Sequence, residues 1–250
     1  QPRSRGLEMC IRDSHCTLLD PKGRAPRYAF GQTGGRSARM GPMSFPELDR
    51  RATPASFSRK ETLRLQAATA AGSAAALASR LARRGSGASI RGRVMQRLDP
   101  RSLEKLLQGR RIAMVSGTNG KTTTTHLLAA AIRAGLGPDA DRLVTNADGA
   151  NLHYGIASAL GQQPDADIAV LETDERVVAD VLRMGRPEIL VLLNFSRDQL
   201  DRHHEITALG QAWRDALEQA GSDGPVVVAS SEDPLIVWAC RGARKVIWVD

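Results

Sequence analysis

The segment that most restricts this chain runs Ile112-Ala-Met-Val-Ser-Gly-Thr-Asn-Gly-Lys-Thr-Thr-Thr-Thr125. Four apolar residues, Ile112 to Val115, read as a buried strand. They break into a glycine turn, Gly117-Thr118-Asn119-Gly120, and an apolar helical pattern begins at Lys121. A chain built this way commits to a strand, a tight turn and a helix whose N-terminus faces outward. That is a phosphate cradle: the glycines let backbone N–H groups approach phosphate oxygens and the helix dipole adds positive charge. Lys121 reaches the outer phosphates and the Thr122 hydroxyl is placed to ligate Mg²⁺. An ordinary strand-to-helix turn needs neither Lys-Thr after its second glycine nor four threonines opening a helix they disfavour. The common phosphate-loop pattern has glycine five residues before Gly120, where this chain has Val115; here the glycine is Gly117. The reading expects ATP, with Gly117, Thr118, Asn119, Gly120, Lys121, Thr122 and Thr123 around its phosphates.

Downstream, apolar runs of four to six residues alternate with amphipathic helical patterns. Strands are expected at 112–115, 143–145, 168–172, 189–194, 225–229 and 246–249. Helices are expected at 122–134, 154–160, 177–184, 206–220 and 234–239. This alternation predicts an α/β fold, a mostly parallel sheet with helices on both faces. Ligands on such sheets bind at the strand C-terminal ends, where three polar clusters fall. The strand Ile168–Glu172 ends in Glu172, a candidate Mg²⁺ ligand beside Thr122, since Mg²⁺ takes few carboxylates together with phosphate oxygens and water. Asp174 and Glu175 also suit the first turn of a helix. The strand ending at Asn194 leads into Arg197, Asp198, Gln199 and Asp201, either a second polar loop beside the cradle or a solvated turn. The loop Asn146-Ala-Asp-Gly-Ala-Asn151 follows a third strand. Asn146, Asn151, Asn194 and Asp198 are candidate substrate contacts, and Lys121 and Glu172 the candidate catalytic pair. His126 and His153 read as structural. His203 and His204 are adjacent, point apart on a helix and read as surface residues.

The 250 residues carry a net charge of +8, with aromatics at only 4%. Much of the positive excess precedes Arg111. A basic segment suits nucleic acid, anionic lipid or an anionic substrate, but stacking platforms for single strands are poorly supplied, and no nucleic-acid partner is expected. Cys10, Cys16 and Cys240 have no metal-ligand spacing and suit a reducing cytosol without disulfides. No apolar run has the length of a membrane span, and no signal peptide is evident.

Residues 1–58 lack any sustained hydrophobic period and read as disordered or artefactual; Arg5 to Ser14 resembles translated sequencing-adapter DNA. Residues 59–110 read as an N-terminal helical segment. Its first helix spans 60–81, with Leu63, Ala67, Ala70, Ala74, Leu77 and Leu81 as the apolar stripe. A linker follows through Pro100, then a short helix at 102–107 with Ser102 as its N-cap.

Four motifs together resemble the Mur ligase superfamily, over about residues 60–250. They are Gly117–Thr124, Asn146–Asn151 with Gly155 and Ser158–Leu160 after it, Leu171–Glu175, and Leu192–Arg202. Within the superfamily they are similar to the MurT-like ligase subunits of lipid II isoglutaminyl synthase. Other Mur ligases usually carry a metal-holding His where this chain has Gln199, which favours the MurT-like branch. The resemblance implies a Mur ligase central ATP-binding domain at 111–250. It also implies a zinc ribbon and a C-terminal domain downstream, so the reading expects a truncated chain, inactive alone, with zinc only in that downstream region. It implies ATP and Mg²⁺, and amidation of the D-glutamate α-carboxylate of lipid II through an acyl phosphate. Ammonia comes from a GatD-like glutaminase partner, in the cytoplasm at the inner membrane face. The alternatives are another Mur or folylpolyglutamate-type carboxylate–amine ligase, and an ATP-binding fragment without turnover.

Overall fold

The computed structural model describes residues 52, 55–81, 88–146, 150–195 and 203–250. Three helices come first: α1 (Arg59–Leu81), α2 (Ala88–Leu98) and α3 (Ser102–Leu107). The alternating part follows as β1 (Arg111–Ser116), α4 (Lys121–Leu136), β2 (Leu143–Thr145), α5 (His153–Leu160), β3 (Ile168–Glu172), α6 (Val178–Gly185), β4 (Ile189–Leu192), α7 (His203–Ala220), β5 (Val226–Ser230), α8 (Pro234–Ala239) and β6 (Lys245–Val249).

The six strands form one sheet in the order β2-β3-β1-β4-β5-β6. Every pairing is parallel. The reason is compositional: the strands are short runs of Val, Ile, Leu and Ala, buried enough to need cover on both faces, and each connection is long enough for a crossover helix. Successive side chains alternate between faces. Ile112, Met114, Ala169, Leu171, Leu190, Leu192, Val227 and Ala229 point into the larger core, against α3, α5, α6, α7 and α8. Ala113, Leu143, Ile168 and Val170 point the other way, against Ala129 and Leu136 of α4. The expected α/β sheet with helices on both faces is what forms.

The chain leaves β1 toward β2 on one side and leaves β4 toward β5 on the other. The crevice between the C-terminal ends of β1 and β4 is therefore the switch point at which ligands bind in open α/β sheets.

The N-terminal helices differ from the sequence reading in three respects. Residues 88–98, read as linker, form α2, and its glycine is the reason it was missed. Gly92 is not a breaker; it lets α2 approach α5, where an added Cβ would lie 1.9 Å from the Tyr154 carbonyl oxygen. The leucine stripe of α1 faces outward, with Leu63, Leu77 and Leu81 exposed. Its buried face is instead Ala68, Gly72, Ala76 and Ser79. Small residues win because α2 packs so close that a Cβ on Gly72 would meet Arg91 O at 2.9 Å. Finally, Ser102 is not a cap: it lies inside α3 and its hydroxyl is buried without a partner. The capping box sits at α1, where Ser58 Oγ accepts from Glu61 N (3.3 Å) and Ser58 N donates to Glu61 Oε2 (3.1 Å).

Candidate functional site

The turn after β1 is shaped by its two glycines. Gly117 has φ 138° and Gly120 has φ 84°, values that side-chain-bearing residues rarely adopt. At Gly117 the need is also spatial: a Cβ there would lie 2.9 Å from Asn194 N, in the loop leaving β4. The two loops at the switch point are thus in backbone contact, with Thr118 N donating to Asn194 O at 2.8 Å. Asn194 completes the clamp. Its Oδ1 accepts from Asn119 N (3.0 Å) and its Nδ2 donates to Asn119 O (3.1 Å).

Gly120 occupies the N-cap of α4, and no side chain caps that helix. The N–H groups of its first turn are the donors a phosphate accepts from. Lys121 opens the helix and folds back over the turn, donating to Gly117 O (2.5 Å) and Thr118 O (3.1 Å). Its Nζ also lies 3.6 Å from Glu175 Oε1, with both side chains largely buried.

Glu172 ends β3, in register with Val115 of β1. It is 1% exposed, yet no cation among the described residues pairs with it. Its Oε2 accepts from Thr122 Oγ1 at 2.9 Å and its Oε1 from Asn151 Nδ2 at 2.8 Å. A carboxyl group buried against two neutral donors, with no counter-ion among the described residues, is an arrangement a bound cation would stabilise. The donor set, a carboxylate and a hydroxyl at the mouth of a phosphate cradle, suits Mg²⁺ completed by phosphate oxygens and water. Among the described residues no three His, Cys, Asp or Glu side chains converge as a cage for a softer metal.

The remaining sequence candidates divide. Asn151 belongs to the Glu172 cluster rather than to a separate surface. Asn146 is 4% exposed. Its Nδ2 donates to Ala150 O (2.9 Å) and Glu172 O (2.8 Å), and its Oδ1 accepts from Glu172 N (2.8 Å). It ties the loop to the end of β3 and leaves its amide little freedom to reach outward. Thr118, Asn119, Gly120, Thr122 and Thr123 are exposed at the rim, whereas Gly117 is buried. Asp198, with Arg197, Gln199 and Asp201, lies outside the described residues, as do the side chains of His203 and His204.

Glu175 is the residue that sequence reasoning undervalued. Its helix-dipole explanation fails because α6 starts three residues later. Trp213 holds its backbone, with Nε1 donating to Glu175 O at 2.9 Å, and stacks on Phe195 at 4.5 Å. Only the Leu-Glu-x-Asp-Glu pattern itself singles it out in sequence.

Comparison with known proteins agrees with this fold. The Mur ligase middle domain matches residues 115–247. The subunit MurT of lipid II isoglutaminyl synthase (glutamine-hydrolyzing) from Staphylococcus aureus strain COL is 34% identical over 153 residues, 60% of this chain and 33% of that protein. Its counterpart in Streptococcus pneumoniae is 33% identical over 159 residues, 62% of this chain and 34% of that protein. UDP-N-acetylmuramate–L-alanine ligase of Mycobacteroides abscessus is 33% identical over 151 residues, 59% of this chain and 28% of that protein. The chain thus spans about a third of the length of the curated relatives it matches.

Proposed function

Because the chain belongs to the Mur ligase family through its middle domain, we propose that it supplies the nucleotide half of an ATP-dependent carbon–nitrogen ligase of peptidoglycan synthesis. The MurT relatives extend the reading to one reaction. A carboxylate oxygen of the D-glutamate in lipid II attacks the γ-phosphorus of ATP, and ADP leaves. Ammonia then attacks the carbonyl carbon of the acyl phosphate, loses a proton and expels phosphate, leaving an amide. A GatD-like glutaminase is the ammonia source in this reading, and the work takes place in the cytoplasm, against the membrane that carries lipid II.

The observation that carries the proposal is the Thr122–Glu172–Asn151 cluster set against the glycine turn. Phosphoryl transfer depends on positioning and charge neutralisation more than on covalent help from the protein. The first-turn N–H groups of α4 hold the phosphates, and Lys121 swings from the turn carbonyls onto the outer phosphate oxygens. Thr122 and Glu172 are the residues that would hold Mg²⁺, which when bound neutralises phosphate charge. Asn151 holds the Glu172 carboxylate, and Asn146 holds the Glu172 backbone. Asn194 keeps the turn open by clamping Asn119.

Two measurements test the reading. Calorimetric titration should show Mg²⁺–ATP binding that weakens at least tenfold in Lys121→Ala, since a charge-assisted contact is worth about 1.5–3 kcal/mol. Equal affinities would remove the cradle assignment. Incubation of the full-length protein with a glutaminase partner, ATP, glutamine and lipid II should lower the acceptor mass by about one unit, ammonia replacing a hydroxyl. An increase on the order of a hundred units, an added amino acid, would instead establish another carboxylate–amine ligase of the superfamily. ATP binding without any product would leave a nucleotide-binding module.

A further inference from the structure

Helix α1 carries two apolar faces, and the fold buries one of them. Ala68, Gly72, Ala76 and Ser79 face inward. The opposite face is Leu63, Ala67, Ala70, Ala74, Leu77 and Leu81, and every one of these is exposed. The three leucines are exposed by 56%, 60% and 78%. A surface helix of a monomer turns one apolar stripe to the core and a polar face to water; α1 turns leucines to water over about five turns. From this face we infer that the protein self-associates: two copies join through an antiparallel pair of α1 helices, with the two-fold axis at the level of Gly72.

The order of residues on this face is self-complementary. The six positions follow one another at alternating steps of four and three, the spacing of a coiled-coil seam. Leu63 and Leu81 lie nine residues before and after Gly72, Ala67 and Leu77 five, and Ala70 and Ala74 two. Turned end to end about that centre, two identical helices therefore match at every layer. Leu63 meets the partner's Leu81 at each end. Leu77 meets the partner's Ala67, large against small, and Ala70 meets the partner's Ala74 where the helices come closest. Such an isologous contact closes on itself as a dimer and leaves no open end for a filament.

The charges beside the seam set the direction. In a parallel pair Arg59 would lie against the partner's Arg64, and Lys60 would face the partner's Lys60 within the seam, both repulsive. In the antiparallel pair Arg64 lies beside the partner's Ala78 and Arg80 beside the partner's Gln66, so no like charges meet between Leu63 and Leu81. Lys60 falls past the end of the partner's helix, which stops at Leu81. The seam is about 27 Å long at 1.5 Å per residue. One helix face from each copy falls near the lower limit of specific contacts, about 1,000 Å² in total, so the dimer is a reversible one. A membrane surface also takes basic apolar helices, but it favours bulky residues along the whole face and asks for no symmetry in their order. The alanine centre and the two-fold pattern favour a second copy.

Sedimentation of the full chain over a range of concentrations reads the oligomeric state. The proposal expects a monomer–dimer equilibrium and a melting temperature that rises with protein concentration. Leu77→Glu sets an unpaired charge in the seam twice per dimer and should weaken association at least tenfold, with an unchanged far-ultraviolet circular dichroism spectrum because Leu77 is exposed. Ala67→Lys should do the same. Combining the two in one chain places each Glu against the partner's Lys in the antiparallel pair alone and should restore the dimer, which a misfolded variant would not do. A wild-type chain that stays monomeric throughout, or a dimer indifferent to Leu77→Glu, would overturn the proposal. Failure of the double variant to re-associate would overturn the antiparallel seam. Flotation with phosphatidylcholine–phosphatidylglycerol vesicles separates the other occupant: capture of a monomeric wild-type chain, lost in Leu77→Glu, would make α1 a membrane contact instead.

Discussion

At the residue scale the decisive group is Glu172, a buried carboxylate whose only described side-chain partners are a threonine hydroxyl and an asparagine amide. Glu172→Gln keeps the size and the Thr122 contact but removes the charge that would face Mg²⁺. We expect it to fold with an unchanged melting temperature and to need at least tenfold more Mg²⁺ for nucleotide binding, read by titration at several Mg²⁺ concentrations. An unaltered Mg²⁺ requirement would refute the assignment. A second residue-scale prediction concerns Cys240, which is 2% exposed. Burial pushes its thiol up from 9.0 to about 12, because a thiolate is poorly solvated in an apolar core. Below about pH 9 the group is neutral in both folded and unfolded chains. Above that, the unfolded chain ionises first and stability falls. Iodoacetamide at pH 8.5 should leave Cys240 unmodified in the native protein and label it in urea, as read by peptide mass spectrometry. Native labelling at the unfolded rate would contradict the burial.

At the scale of elements, the pairing of β2 with β3 is pinned by a largely buried ion pair. Arg142, just before β2, donates to Asp167, just before β3, through Nε at 2.9 Å and Nη2 at 3.0 Å. Burial alone raises the Asp167 carboxyl, but the Arg142 hydrogen bonds and charge and the Ala52 N–H outweigh it and hold it below the ordinary 3.8. A depressed carboxylate contributes stability above its unfolded value and loses it as pH falls through the folded one. Asp167→Asn should therefore lower the melting temperature at pH 7, and its melting temperature should fall less steeply than wild type below pH 4. Parallel curves for the two proteins would show that the pair contributes nothing. The element scale is also where the sequence misled. Glycine has low helix propensity, yet Gly92 and Gly72 are each a point where one helix backbone closely approaches another. Such a role depends on the partner helix, and no local pattern contains it.

At the scale of the whole molecule, the N-terminal helices and the sheet share one core. Met95, Leu103, Leu106 and Leu107 pack with Ile112, Leu160, Leu171 and Leu182 in a single cluster. A buried Lys105–Asp99 pair at 2.8 Å locks α3 to the turn before it. We therefore expect residues 59–110 to unfold together with the sheet. Urea curves followed by far-ultraviolet circular dichroism and by tryptophan fluorescence should coincide, since Trp213 lies in the same cluster. Two separated transitions would mean that the helices form an independent unit.

The sequence by itself determined the parallel α/β sheet, because short aliphatic runs alternating with amphipathic segments have few other ways to bury both strand faces. It also determined the glycine turn, whose backbone demands are local, and the placement of Thr122 at a helix start and of Glu172 at a strand end. Strand limits agreed to within two residues at each end, the largest difference being at 189–194, where β4 stops at Leu192. Tertiary structure alone decided that Asn151 reaches Glu172, that Glu175 reaches Lys121, that Asn194 clamps Asn119, and that α1 buries its small residues and exposes its leucines. Each of these joins groups from different strands or helices. The sequence states which side chains exist, but the strand order and the closeness of helix packing set which of them meet.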